Sequence, residues 1–186
     1  MRLFIAINLP KETKQKITKL IKKINFEKIS DKSDFRWVSD NNWHLTVSFL
    51  GYQSEETIPV ILQAIKKTIE NFSAPFIEFE KIILGPQSKT PRMIWLIGSN
   101  QTSKKLNEIK NCLENELIKN KIKFQRENRL FTAHLTLARF PINKYLKIGF
   151  PNIEKMSFST QSLDLMESRL KETGAEYEIL KRVDFI

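Results

Sequence analysis

The chain has 186 residues, with 31 Lys and Arg against 21 Asp and Glu, for a formal net charge of +10. That length fits one domain of ordinary size, or two small lobes sharing an interface, with a core that needs no covalent staples; the single cysteine, Cys112, excludes an internal disulfide and every multi-cysteine metal site. The positive excess points to an anionic partner such as a nucleic acid or a phosphorylated molecule, although the basic residues are dispersed and most read as solvated faces.

Arg2 to Asn8 is apolar throughout, as expected of a strand buried on both faces, and Pro10 stands where a helix can begin. Asn8 and Pro10 interrupt this opening stretch and no small-residue cleavage site follows, so it makes a poor signal peptide. No apolar run approaches the roughly 20 residues that span a bilayer, and a soluble, cytoplasmic protein without membrane contact is expected. Ile17, Leu20, Ile21 and Ile24 recur at helical spacing among lysines, giving an amphipathic helix that a polar stretch, Asn25 to Asp34, ends. Phe35 to Val38 reads as a short strand, Asp40-Asn41-Asn42 as a turn, and Trp43 to Leu50 as a strand closed by Gly51. A second helix, capped by Ser54 or Thr57, carries Ile58, Ile61, Leu62, Ile65 and Ile69 on one face and tolerates Pro59 in its first turn.

Phe76 to Leu84 and Arg92 to Gly98 form a long hairpin around Gly85-Pro86 and Thr90-Pro91. Leu106, Ile109, Leu113 and Leu117 mark a third helix with Cys112 on its buried side. The basic segment Lys119 to Arg129 is the best candidate for a loop that contacts an anionic partner. It leads into a strand over Ala133 to Phe140, ended by Pro141; two more strands, Lys155 to Ser168 and Tyr177 to Phe185, flank a turn at Thr173-Gly174.

Only two histidines occur, and each opens the same phrase: His44-Leu45-Thr46-Val47 and His134-Leu135-Thr136-Leu137, one in each half of the chain. On a strand, side chains at i and i+2 share a face, so His44 with Thr46 and His134 with Thr136 point one way while the aliphatic neighbours enter the core. Two pseudo-symmetric lobes would bring both pairs to one cleft. Cleaving a phosphodiester needs one group to take a proton and another to give one. Two imidazoles near pKa 6.5 can hold opposite states near neutral pH. Threonine hydroxyls can donate to phosphate oxygens and an arginine can neutralise transition-state charge. Two histidines without cysteine partners or an HExxH spacing are a poor zinc set, so no metal is expected, and no GxSxG supports a serine nucleophile.

These motifs, with Arg2 to Pro10, Arg36-Trp37-Val38, Pro91-Arg92 with Ile94-Trp95-Leu96, and Leu165 to Leu170 followed by Gly174 and Tyr177, resemble the two-histidine (2H) phosphoesterase superfamily. Within it, the chain is most similar to the RNA 2′,3′-cyclic phosphodiesterase branch, also described as 2′-5′ RNA ligase-like. The resemblance covers nearly the whole sequence. It implies a single domain over residues 1–186 of two intertwined lobes, with an α+β, bilobal, pseudo-twofold duplicated fold whose two antiparallel sheets face a central cleft, helices outside. It implies hydrolysis of an RNA-terminal or nucleoside 2′,3′-cyclic phosphate to a 2′-phosphomonoester, with no cofactor or metal. His44 and His134 match its catalytic histidines, Thr46 and Thr136 its phosphate-holding threonines, and Arg139 a phosphate-contacting arginine. His134 is then the base toward water and His44 the acid toward the 3′ oxygen, with the reverse order open.

Ala133 stands where the family usually has proline before the second histidine. Strict alternation puts Arg139 on the opposite face from His134 and Thr136, so its role requires a bulge, a strand end or a long reach. Phe4 and Phe49 are candidates to border the nucleotide, with Trp43 and Trp95 similar; Arg36, Arg126 and Arg129 are candidates to meet the RNA backbone. The expected partners are RNA ends or cyclic nucleotides, and the expected state is a monomer. Two other functions fit the same residues: a nucleotide- or RNA-binding module that does no chemistry, and 2′-5′ RNA ligation by the reverse reaction.

Overall fold

A computed structural model of the protein describes residues 1–29, 35–87, 89–127, 130–141, 146–171 and 174–185. Its elements in order are β1 (Arg2–Asn8), α1 (Lys11–Ile21), β2 (Asn25–Ile29), β3 (Arg36–Trp37), β4 (His44–Tyr52), α2 (Ile58–Ile69), β5 (Phe76–Gly85), β6 (Met93–Gly98), α3 (Asn100–Lys119), β7 (His134–Arg139), β8 (Leu146–Gly149), β9 (Met156–Ser159), β10 (Ser162–Lys171) and β11 (Gly174–Asp184). Two antiparallel sheets carry the fold, one ordered β11-β10-β1-β4 and the other β3-β7-β6-β5-β9, with β2 and β8 paired separately. The architecture is α+β, and it is duplicated: β1-α1-β4 and β6-α3-β7 are the same unit, a strand, a helix and a histidine strand that returns antiparallel to the first.

Each sheet turns one face to the helices. Leu3, Ile5 and Ile7 of β1, Ile94 and Leu96 of β6, and Leu45, Val47, Leu135 and Leu137 of the histidine strands join Ile17, Ile61, Ile65, Leu106, Ile109 and Leu113 from the helices in one core. Each such side chain contributes about 1.5–3 kcal/mol on burial. The other face of the first sheet carries a separate small cluster, Phe4, Ala6 and Met166 with Tyr177, so the buried residues of β1 divide between the core and the site face by simple alternation.

Several boundaries differ from expectation. Asn25 to Ile29, expected as part of a polar connection, is strand β2, satisfied by pairing with the distant β8, which has no strong sequence pattern of its own. The run from Lys155 to Ser168 is two strands: β9 closes the five-stranded sheet beside β5, and β10 joins β1 in the other. The chain changes sheets at Thr160 and Gln161, where the Thr160 amide donates to the Pro75 carbonyl at 3.0 Å, a contact with no local signature. Neither Ser54 nor Thr57 caps α2 through its side chain; a 3₁₀ turn over Glu55–Thr57 leads in, and the Thr57 hydroxyl donates back to the Ser54 carbonyl at 2.7 Å. β4 runs through Gly51, at φ +70°, to Tyr52. Cys112 is half-buried rather than in the core. Among the described residues, no helix is long and apolar enough to cross a membrane.

Candidate active site

The two histidine strands share one irregularity. Along β1, pairing steps from Ala6–Thr46 to Ile5–Ser48, leaving Val47 as an extra residue; along β6 it steps from Trp95–Thr136 to Ile94–Ala138, leaving Leu137 extra. Each is a β-bulge placed three residues after the histidine, and a bulge reverses the alternation beyond it. The burial patterns of His44 to Phe49 and His134 to Arg139 are accordingly identical: histidine and threonine half-exposed, Val47-Ser48 and Leu137-Ala138 both inward, then Phe49 and Arg139 exposed. Of the bulge, strand end or long reach that Arg139 called for, the bulge is present, and it returns Arg139 to the face of His134 and Thr136. The same device places Phe49 beside His44 and Thr46.

β4 and β7 lie against each other across the two sheets, and His44 feels the charges of Arg139 and His134. Both rings are held alike: Nδ1 of His44 lies 2.8 Å from the Asn42 carbonyl, and Nδ1 of His134 lies 2.8 Å from the Thr132 carbonyl. A carbonyl only accepts, so Nδ1 carries hydrogen in each ring and Nε2 is the atom left to exchange a proton. Asn42 is fixed in turn, its side-chain amide donating to the Ala175 carbonyl at 2.9 Å.

The surroundings of the two rings differ. His44 sits against Phe4 with centroids 4.9 Å apart and edge-to-face with Tyr177 at 4.8 Å. Desolvation in this aromatic box pushes its pKa down to about 4; the Asn42 carbonyl opposes the shift, and the positive charges of Arg139, His134 and Lys14 add to it. His134 instead lies beside the Trp95 indole, centroids 4.1 Å apart and planes 33° apart. Trp95 reaches this position only because residue 85 is glycine: a Cβ there would stand 2.3 Å from the indole.

The remaining candidates are distributed as follows. Phe4 is 1% exposed and forms the floor under His44, whereas Phe49 is 55% exposed and presents a ring at the surface of the same face. Trp43 points into the core, while Trp95 belongs to the site face. Arg36 pairs directly with Arg139 across β3 and β7. Arg126 is drawn away: its Nε lies 3.1 Å from Glu114, and its guanidinium donates to Asn115 at 3.1 Å. Arg129 lies outside the described residues.

Sequence reasoning missed three groups. Lys14 on α1 borders His44; burial lowers its pKa, with Asp40 opposing. Tyr177 closes the aromatic box from β11. Behind β4, the Ser48 hydroxyl at the bulge donates to Glu114 Oε1 at 3.0 Å, a carboxylate also held by Lys110 at 2.8 Å and Arg126. The one available signal was Lys110 and Glu114 four apart on the apolar face of a helix; contact with Ser48 is non-local. Among the described residues, no group of three His, Cys, Asp or Glu is arranged to hold a metal ion. The site thus offers two Nε2 atoms, two hydroxyls and a guanidinium where the two sheets meet along β4 and β7, a set suited to proton exchange around an anion.

Comparison with known proteins places this arrangement. The LigT like Phosphoesterase family model matches residues 7–95. An RNA 2′,3′-cyclic phosphodiesterase of Thermotoga maritima is 29% identical over 194 residues, spanning 100% of this chain and 96% of that protein. Among solved structures, a Thermus thermophilus protein shares the fold with a TM-score of 0.75 at 21% identity, over 100% of this chain and 98% of the other. Escherichia coli LigT complexed with 3′-AMP gives a TM-score of 0.73 at 25% identity, over 99% and 97%. With the family model on the first histidine strand and relatives aligned across both, the chain is similar to the LigT-like phosphoesterases over nearly its whole length.

Proposed function

We propose that the protein is a hydrolase that opens the 2′,3′-cyclic phosphate of RNA ends or nucleosides to a 2′-phosphomonoester, by proton transfers between substrate and its two histidines. The observation that carries this reading is the matched pair of bulged strands, in contact across the two sheets, one exposing His44 and Thr46 and the other His134, Thr136 and Arg139. The Thermotoga relative named as an RNA 2′,3′-cyclic phosphodiesterase and the E. coli LigT complex with 3′-AMP support the substrate class.

In the reaction, a water oxygen bonds to phosphorus as the bond from phosphorus to the 3′ oxygen breaks in line. The water proton passes to one Nε2 and the other Nε2 delivers a proton to the departing 3′ oxygen, so both protons balance. The surroundings of His44 support one order: held neutral in its aromatic box, it is the base, which leaves His134 as the acid. Of the two orders left open by the sequence, this is the second. Thr46 and Thr136 donate to the non-bridging oxygens and Arg139 offsets charge accumulating on them. Phe49 offers its exposed ring to the base, a contact of about 1–3 kcal/mol.

The test is incubation with an RNA oligonucleotide ending in a 2′,3′-cyclic phosphate, in EDTA, with the end group identified by mass and phosphatase sensitivity. A 2′-phosphate product is expected. A bound but unchanged cyclic end would replace this reading with that of a binding module, and joining to an added RNA 5′-hydroxyl would replace it with ligation.

A further inference from the structure

The two-residue strand β3 has no counterpart in the other half: β4 is the edge of its sheet, whereas β7 has β3 beyond it. What this extra strand adds to the site face is one side chain. Arg36 stands directly opposite Arg139, and Met93 opposite Arg139 on the other side, so the row across the sheet reads Arg36, Arg139, Met93. Phe35 stacks on Phe140, centroids 5.0 Å apart, on the core side; alternation therefore sends Arg36 and Arg139 to the site face.

Directly paired residues hold their Cβ atoms about 4.5–5.5 Å apart, and like charges so placed repel. Both arginines are exposed, and among the described residues neither has a carboxylate partner. One nitrogen of Arg139 donates to the Met93 sulfur at 3.4 Å, a weak bond that leaves most of its donors free. An anion between the two guanidiniums converts this repulsion into a bidentate clamp on each side. Arg139 is five positions along β7 from His134, and its charge reaches His44. Arg36 stands one strand farther out, about 4.8 Å beyond Arg139, and therefore addresses a group beyond the reacting phosphorus.

Resting on the proposed activity, we infer that Arg36 and Arg139 form a second anion site that takes the phosphodiester linking the terminal nucleotide to the next one. The protein thereby favours a cyclic phosphate on an RNA chain over one on a free nucleoside. Arg139 stands between the two phosphates, and Arg36 is the length-sensing residue.

The experiment compares kcat/KM for adenosine 2′,3′-cyclic phosphate, for the ApA dinucleotide with the same cyclic end, and for that dinucleotide with a neutral methylphosphonate linkage. Wild type is expected to prefer the charged dinucleotide about tenfold over the other two, the scale of one charge-assisted contact. Arg36→Gln is expected to lose about tenfold more on the charged dinucleotide than on the mononucleotide, and Arg36→Lys to recover part of that loss. Equal losses on all three substrates, or a methylphosphonate handled as well as the phosphate, would overturn the inference. If no cyclic end is opened at all, the proposed activity fails separately. The same comparison is then read from dissociation constants of 3′-phosphorylated ApA with either linkage, where equal affinities would overturn the second site.

Discussion

Holding His44 neutral stores a pH-dependent stability that can be measured without any substrate. In the unfolded chain the ring takes a proton near its ordinary pKa of 6.5; in the folded protein it resists until about 4. Between those values the unfolded state binds a proton that the native state does not, so stability falls as pH drops through this window, and the loss is complete below about 4. The difference corresponds to about 3 kcal/mol. Carboxylates also titrate there, so the comparison is with His44→Asn, which lacks the group. Wild type should lose about 3 kcal/mol more than the variant between pH 7.5 and pH 4 in denaturant unfolding. Because the chain has two histidines, the ring proton NMR spectrum holds two titrating signals, and the one lost in His44→Asn should have its midpoint far below 6.5. Equal losses of stability in the two proteins, or a His44 signal titrating near 6.5, would refute the desolvated base.

The order of the two histidines predicts a chemical rescue: a catechol cyclic phosphate, whose phenoxide departs without a proton, should restore much of the rate to His134→Ala and little to His44→Ala, and the opposite pattern would reverse the assignment. Gly85→Ala forces a Cβ into the Trp95 ring, so thermal unfolding should show a loss of about 1–3 kcal/mol together with a shifted His134 ring-proton resonance from the displaced indole; a silent substitution would contradict the packing of indole on glycine. Ser48→Ala, which leaves the Glu114 ion pairs in place, should cost about 1.5–3 kcal/mol, whereas Glu114→Gln, which strands the buried Lys110 charge, should cost about 3–5 kcal/mol in chemical denaturation.

The parts of this architecture that follow a local period were legible in the sequence. β1, α3 and both histidine strands follow from continuous apolar runs or 3.6-residue spacing, and the repeated phrase identified the strands that matter. The conflict between Arg139 and strict alternation called for a bulge, a strand end or a long reach, because the parity of one charged residue contradicted the face it had to serve, and of the three the bulge is what occurs. The matching bulge in β4 gave no such conflict: Val47 and Ser48 both fit a half-buried strand, and only the pairing with Ile5 and Ala6 reveals the extra residue. What escaped was non-local. β2 is a strand because β8 pairs with it, β9 and β10 separate because each finds a different sheet, and the bond from Ser48 to Glu114 spans 66 positions. The asymmetry between the histidines was equally hidden, since the Phe4 and Tyr177 rings and the Trp95 indole come from strands far apart in the chain.

The central claim is that two histidines on matched strands act as one acid–base unit. It is tested most directly by kcat/KM on a 2′,3′-cyclic phosphate substrate for His44→Ala, His134→Ala and the double variant. Each single substitution should lower the rate about 10²–10⁴-fold, and the double should be little worse than the slower single, as expected of groups that work together. A single variant that keeps a near wild-type rate, or losses that multiply fully in the double variant, would contradict the account.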